Sequence, residues 1–174
     1  MTNTIYTKEQ IQTRIQELAE EITKDYKGES ILLISILKSA FVLTADLLRA
    51  LYKAGMKTVD VDFLQISSYG TEKQSSGNPL VTADLTTDIA GKHVLVVEDI
   101  IDTGHTLKFV KTYLSAKKPA SVKMLAFLDK KEKREVTVSM DYIGFTLKGS
   151  PWVEGYGMDG GEFGRGRPEI GEKT

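Results

Sequence analysis

The chain has 174 residues, 41% hydrophobic and 27% charged, proportions of one globular domain that buries a core without staples. Its 23 Lys and Arg against 24 Asp and Glu leave a formal net charge of −1, which argues against a broad nucleic-acid footprint but not against a small phosphorylated ligand. With no cysteine, thiolate catalysis and disulfides are excluded, and the two separated histidines, His93 and His105, argue against a zinc site.

The amino terminus lacks a basic-then-apolar signal pattern, and Thr7 followed three residues later by Gln10 has the form of a capping box. Behind it Ile11, Ile15, Leu18 and Ile22 recur at helical spacing, which predicts an amphipathic helix ending near Tyr26-Lys27-Gly28. Ile31–Leu37 reads as a strand covered on both faces. It is also the longest apolar run and far too short to span a bilayer, so a cytoplasmic protein without a membrane partner is expected. Phe41, Ala45, Leu48 and Leu51 mark a second helix that stops before Gly55.

Val59–Ile66 reads as the next strand, with Asp60 and Asp62 alternating against Val61 and Phe63. The polar stretch Ser67–Pro79, whose only large hydrophobic residue is Tyr69, is expected to be a lid or a disordered loop. Leu80–Val81 resumes a strand. Val94–Val97 is a buried strand, followed by a helix marked by Leu107, Val110 and Leu114. Val122–Leu128 is another strand, then comes a charged stretch from Lys130 to Glu135. Val136–Val138 and Tyr142–Phe145 read as short strands, and the glycine-rich tail from Gly155 is assigned no regular structure. Neither a repeat nor a linker divides the chain.

Strands alternating with helices predict an α/β fold with a mainly parallel, twisted sheet flanked by helices. Ligands of such sheets bind beyond the carboxyl ends of the strands. That rule singles out Leu37-Lys38-Ser39, the loop after Ile66, Glu98 to Thr106, and Asp129-Lys130.

The richest of these is Val94-Leu-Val-Val-Glu-Asp-Ile-Ile-Asp-Thr-Gly-His-Thr-Leu107. A hydrophobic strand delivers Glu98, Asp99 and Asp102 to its end, then runs through Thr103, Gly104 and Thr106 into a helix. Gly104 permits a tight turn, and amides and hydroxyls at a helix start form a phosphate cradle. Three carboxylates beside a phosphate would repel it. A divalent cation and sugar hydroxyls resolve that conflict, because both accept carboxylate contacts. A lone acidic turn of this kind is usually just solvated; the attached phosphate-type turn reverses the balance.

This segment resembles the signature of the type I phosphoribosyltransferases, which bind phosphoribosyl pyrophosphate (PRPP). The resemblance to their hypoxanthine-guanine branch runs from Ile31 to Arg165, in order and spacing. Ile36–Phe41 resembles the pyrophosphate loop, and Ile66–Gly70 the start of a flexible lid. Leu128-Asp-Lys130, Asp141–Phe145 and Trp152–Asp159 resemble the hood over the base. It implies one domain, with a core over about residues 28–130. A small hood would come from the N-terminal segment and about residues 131–174.

The resemblance also implies roles. Glu98 and Asp99 would hold the ribose diol and Mg2+, with Asp159 as a further metal ligand. Thr103, Gly104, His105 and Thr106 would bind the 5′-phosphate. Asp102 would be the general base near N7 of the purine. Lys38 and Ser39 would meet the pyrophosphate, as would Arg165 from further off, and Ser68-Tyr69 would form the lid's working edge. Ser39 stands where the family usually has Gly, at a turn that commonly includes a non-proline cis peptide. Lys130 would donate to O6 of the base, Trp152 would stack on it, and Val153 would offer backbone groups to its edge. Glu154 replaces an often aliphatic residue and has no assigned task.

The expected reaction is transfer of the phosphoribosyl group to hypoxanthine or guanine by a homodimer or homotetramer, without nucleic acid. Two other readings are open to the sequence. A PRPP-binding regulator would need a basic surface or an added domain, and an unrelated doubly wound domain leaves Lys130, Trp152 and Asp159 unexplained.

Overall fold

The computed structural model describes residues 3–68, 79–159 and 163–173. Strand β1 (Asn3–Tyr6) leads into helix α1 (Lys8–Tyr26), whose start is the expected capping box: Thr7 Oγ1 accepts from Gln10 N at 3.3 Å and Gln10 Oε1 accepts from Thr7 N at 2.8 Å. Then follow β2 (Ile31–Leu37), α2 (Phe41–Lys53), β3 (Val59–Ser68), β4 (Pro79–Ala83), β5 (His93–Ile101), α3 (His105–Ser115), β6 (Ser121–Asp129) and β7 (Tyr142–Thr146). The short strands β8 (Val153–Glu154) and β9 (Ile170–Glu172) complete the order.

Six strands form the main sheet in the order β4-β3-β2-β5-β6-β7, parallel except for the antiparallel edge strand β4. Its strands are short apolar runs because apolar clusters cover both faces. One cluster joins Leu33, Leu95, Val97 and Phe127 to α1 and α2; the other joins Ile34, Val94, Val96 and Met124 to α3. A second sheet, β1-β9-β8, pairs the two ends of the described chain.

At the centre of β3 the burial runs against hydropathy. Asp62 is buried while Phe63 is 45% exposed. Asp62 faces inward because its carboxylate accepts from the amides of Thr86 and Thr87, at 2.9 and 2.7 Å, and so fixes the segment after β4.

Three expectations change. Val136–Val138 is not a strand; Val136 N donates instead to Thr103 O at 3.2 Å, tying this segment to the turn before α3. The tail is not wholly irregular, since Ile170–Glu172 closes the small sheet. Strand β5 runs four residues beyond Val97, so Glu98 and Asp99 lie within it. Of the lid stretch, residues 69–78, Tyr69 included, lie outside the described residues. At its two ends Ser68 pairs with Pro79 across β3 and β4.

Candidate active site

Four strand ends converge where a parallel sheet binds its ligands. After β2 the Leu37-Lys38 peptide is cis, and Ser39 follows it in the turn. Lys38 is exposed, and Ser39 is half-buried. After β5, Gly104 turns at φ 94° into α3. A Cβ there would lie 3.0 Å from Val136 O and 3.1 Å from Arg134 Cδ, so a side chain would be crowded as well as strained by the positive φ. The first helical acceptor is Gly104 O, which takes Lys108 N at 3.0 Å. The first-turn amides have no partner within the helix and remain for a ligand. The His105 side chain turns aside, with Nε2 3.0 Å from Glu135 Oε2.

Glu98 and Asp99 are each only 7% exposed. Burial above all, and then the adjacent Asp99 charge, holds the Glu98 carboxyl well above its ordinary range. Burial raises Asp99 as well, against the opposing pull of its hydrogen bonds and of Arg165. Two buried, oxygen-only donors that repel each other suit a hard divalent cation. The third expected ligand stands apart: the Asp159 carboxylate is ion-paired with Arg165, and among the described residues no three acidic or imidazole groups are gathered as a metal cluster.

Asp102 sits on the turn between β5 and α3. Its Oδ1 is buried and has no hydrogen-bond partner, while Oδ2 lies 3.8 Å from Lys133 Nζ. Lys130 differs from its charged neighbours: Lys131, Glu132 and Lys133 are exposed, but Lys130 is only 6% exposed. Its backbone N donates to Ile101 O at 3.0 Å, which draws it against the end of β5. Burial lowers its ammonium pKa below the ordinary lysine range, Asp102 opposing and Lys133 reinforcing the shift. Trp152 is 62% exposed beside buried Val153.

A cavity of about 210 Å³ joins these elements, lined by Ser39, Asp99, Ile100, Asp102, Lys130, Trp152, Val153, Met158 and Asp159. Seven of these nine are residues singled out in the sequence. Glu98, Lys38, Thr103, Gly104, His105, Thr106 and Arg165 do not line it. Arg165 stands next to it, donating to Gly157 O at 2.7 Å and Ser39 Oγ at 3.3 Å. The side chain of Ser68, like all of Tyr69, lies outside the description. The sequence reading missed Ile100 and Met158, both inside recognised segments. It also missed Arg134, which pairs with buried Asp129 and braces the turn that presents Lys130; no local spacing announces that contact.

A larger cavity, about 550 Å³, opens at the amino ends of the strands between Glu29, Lys57, Asp60 and Lys92, remote from every one of these groups. The smaller cavity is the one that gathers the residues singled out in the sequence.

Comparison with known proteins agrees. A family profile described as the phosphoribosyl transferase domain matches residues 1–159. The hypoxanthine-guanine phosphoribosyltransferase of Aquifex aeolicus is 45% identical over 164 residues, covering 94% of this chain and 89% of its own. That of Dictyostelium discoideum is 40% identical over 169 residues, covering 97% and 93%. The structure of Trypanosoma cruzi hypoxanthine phosphoribosyltransferase in complex with its product IMP superposes with a TM-score of 0.90 at 39% identity, covering 97% of this chain and 92% of that one. This similarity spans nearly the whole sequence and both sheets, and by it the chain belongs to the phosphoribosyl transferase domain family, in its hypoxanthine-guanine branch.

Proposed function

We propose that this chain transfers the 5-phosphoribosyl group of PRPP to N9 of hypoxanthine or guanine, giving IMP or GMP and pyrophosphate. The observation that carries the reading is one cavity lined by Asp102, Lys130 and Trp152 together, an acceptor for a proton, a donor for a carbonyl and a face for a purine.

In the reaction the bond from C1′ to the pyrophosphate oxygen breaks and the bond from C1′ to N9 forms, while the purine gives up a ring proton. The unpartnered Oδ1 of Asp102 takes that proton near N7. Lys130 donates to O6, and a 6-amino base would set donor against donor at that point. Trp152 stacks on the ring, and Val153 offers its backbone to the edge. The turn Thr103-Gly104-His105-Thr106 holds the 5′-phosphate through its amides and threonine hydroxyls, while Lys38, Ser39 and Arg165 face the pyrophosphate. Bound Mg2+ would neutralise the departing pyrophosphate, with Glu98 and Asp99, joined by Asp159, as the residues to hold it.

A single domain, its hood built on the β1-β9-β8 sheet, fits this division of labour. Exposed Phe41, Tyr52 and Phe63 on the α2 and β3 side support a homodimer or homotetramer. No helix among the described residues is long and apolar enough to cross a membrane; the reading includes a cytoplasmic location.

Incubation with PRPP, Mg2+ and each purine base tests the assignment. Hypoxanthine and guanine should yield their 5′-monophosphates, and adenine should not. Efficient use of adenine with poor use of hypoxanthine would overturn it.

A further inference from the structure

Glu154 has no task in the reaction just described, yet its half-buried carboxylate is firmly engaged. Arg167 Nη1 donates to Glu154 Oε1 at 2.9 Å. The same guanidinium donates through Nε and Nη2 to Glu169 Oε1 at 2.9 and 2.8 Å. Two carboxylates, one on β8 and one just before β9, therefore grip a single arginine. Such fork-to-carboxylate contacts fix geometry better than a point charge does.

What they grip is the segment that carries Arg165. Tyr156 N donates to Arg167 O at 2.8 Å and Gly157 N to Arg165 O at 2.9 Å, so the turn after β8 and the segment 164–167 are stitched back to back. The layers touch closely: a Cβ on Gly155 would lie 2.1 Å from Glu169 O, and one on Gly157 would lie 2.3 Å from Ser39 O. From this stack the Arg165 guanidinium reaches Ser39, Gly157 O and Asp159.

The sequence explains why a clamp is needed. Gly164 and Gly166 flank Arg165, and glycine loses more backbone freedom on ordering than any other residue. Backbone pairing at two positions has little to set against that cost. Charged, partly buried contacts at Arg167 supply the missing restraint, two residues from the group that must be placed.

The geometry points to Glu154 as a positioning residue: with Glu169 it clamps Arg167, and the clamp holds Arg165 over the pyrophosphate loop. The inference rests on the phosphoribosyl-transfer reading for what Arg165 meets.

The test uses magnesium pyrophosphate as the probe, measured by calorimetry on the full chain, beside steady-state constants for PRPP and hypoxanthine. Glu154→Leu should weaken pyrophosphate binding and raise the PRPP KM by between about 10-fold and about 10²-fold, the range for a misplaced positioning group. The hypoxanthine KM and the Tm should stay near the native values. Glu154→Gln, which still accepts a hydrogen bond, should lose less. Combining Glu154→Leu with Arg167→Met should add little to Arg167→Met alone, because both break one clamp. Unchanged pyrophosphate binding in Glu154→Leu would overturn the inference. So would a fall in Tm accompanied by equal losses for both substrates, which would make the contact merely structural. Either result leaves native turnover standing, whereas a native chain that forms no nucleotide refutes the underlying reading instead.

Discussion

Asp102→Asn is expected to slow the single-turnover formation of nucleotide on the order of 10²–10⁴-fold, the usual contribution of a positioned general base. The amide keeps the shape of the carboxylate and most of its hydrogen bonding, but it does not take up a proton. The native Oδ1 is buried without a partner, so the substitution breaks no hydrogen bond at that atom. Direct PRPP binding should change little, because the amides of the turn before α3 still face the phosphate. Single-turnover rates must accompany the binding measurement, since a Michaelis constant mixes the two. A near-normal rate would remove Asp102 from the base role without touching the substrate assignment.

Replacing Glu98 by Gln together with Asp99 by Asn should fail differently. PRPP binding in the presence of Mg2+ should fall by at least about 10²-fold, more than is typical for loss of a group that only supports a metal ligand. Turnover should fall with it. Stability should move the other way. Both carboxyls have pKa values raised by burial, so the folded, metal-free chain retains protons that the unfolded chain releases. The native pair therefore adds stability below the ordinary carboxylate range and loses it as pH rises toward the raised values. The double amide removes that dependence. Its Tm in EDTA at neutral pH should equal or exceed the native Tm; a clear drop would show that the pair is structural.

Much of this was legible because it is local. The Thr7–Gln10 box sets the start of α1, and the almost unbroken apolar run Ile31–Leu37 is β2 to the residue. The turn at Gly104 follows from the need for positive φ. Strands β1, β8 and β9 escaped notice because each has two to four residues and gains its partner from a remote part of the chain. Val136–Val138 shows the converse: a strand-like pattern whose first amide is spent on Thr103 O, with no neighbouring strand to pair. In the site, the resemblance pointed to Lys130, but its burial depends on Ile101 and on the Arg134–Asp129 pair, which no spacing reveals. The grip of Glu154 on Arg167 is hidden in the same way.

The pairing of β1 with β9 also bears on the order of folding. Every strand of the main sheet lies before residue 147, so that sheet can pair without the segments that follow it. The small sheet has to wait, because Asn3 and Thr4 find their partners only at Glu172 and Gly171. Lys173 N, which donates to Trp152 O at 2.8 Å, comes later still. Closing the small sheet therefore joins contacts that are far apart in the sequence, and Trp152 and Val153 are pinned only when β9 is in place, whereas the turn before α3 is held within the main sheet.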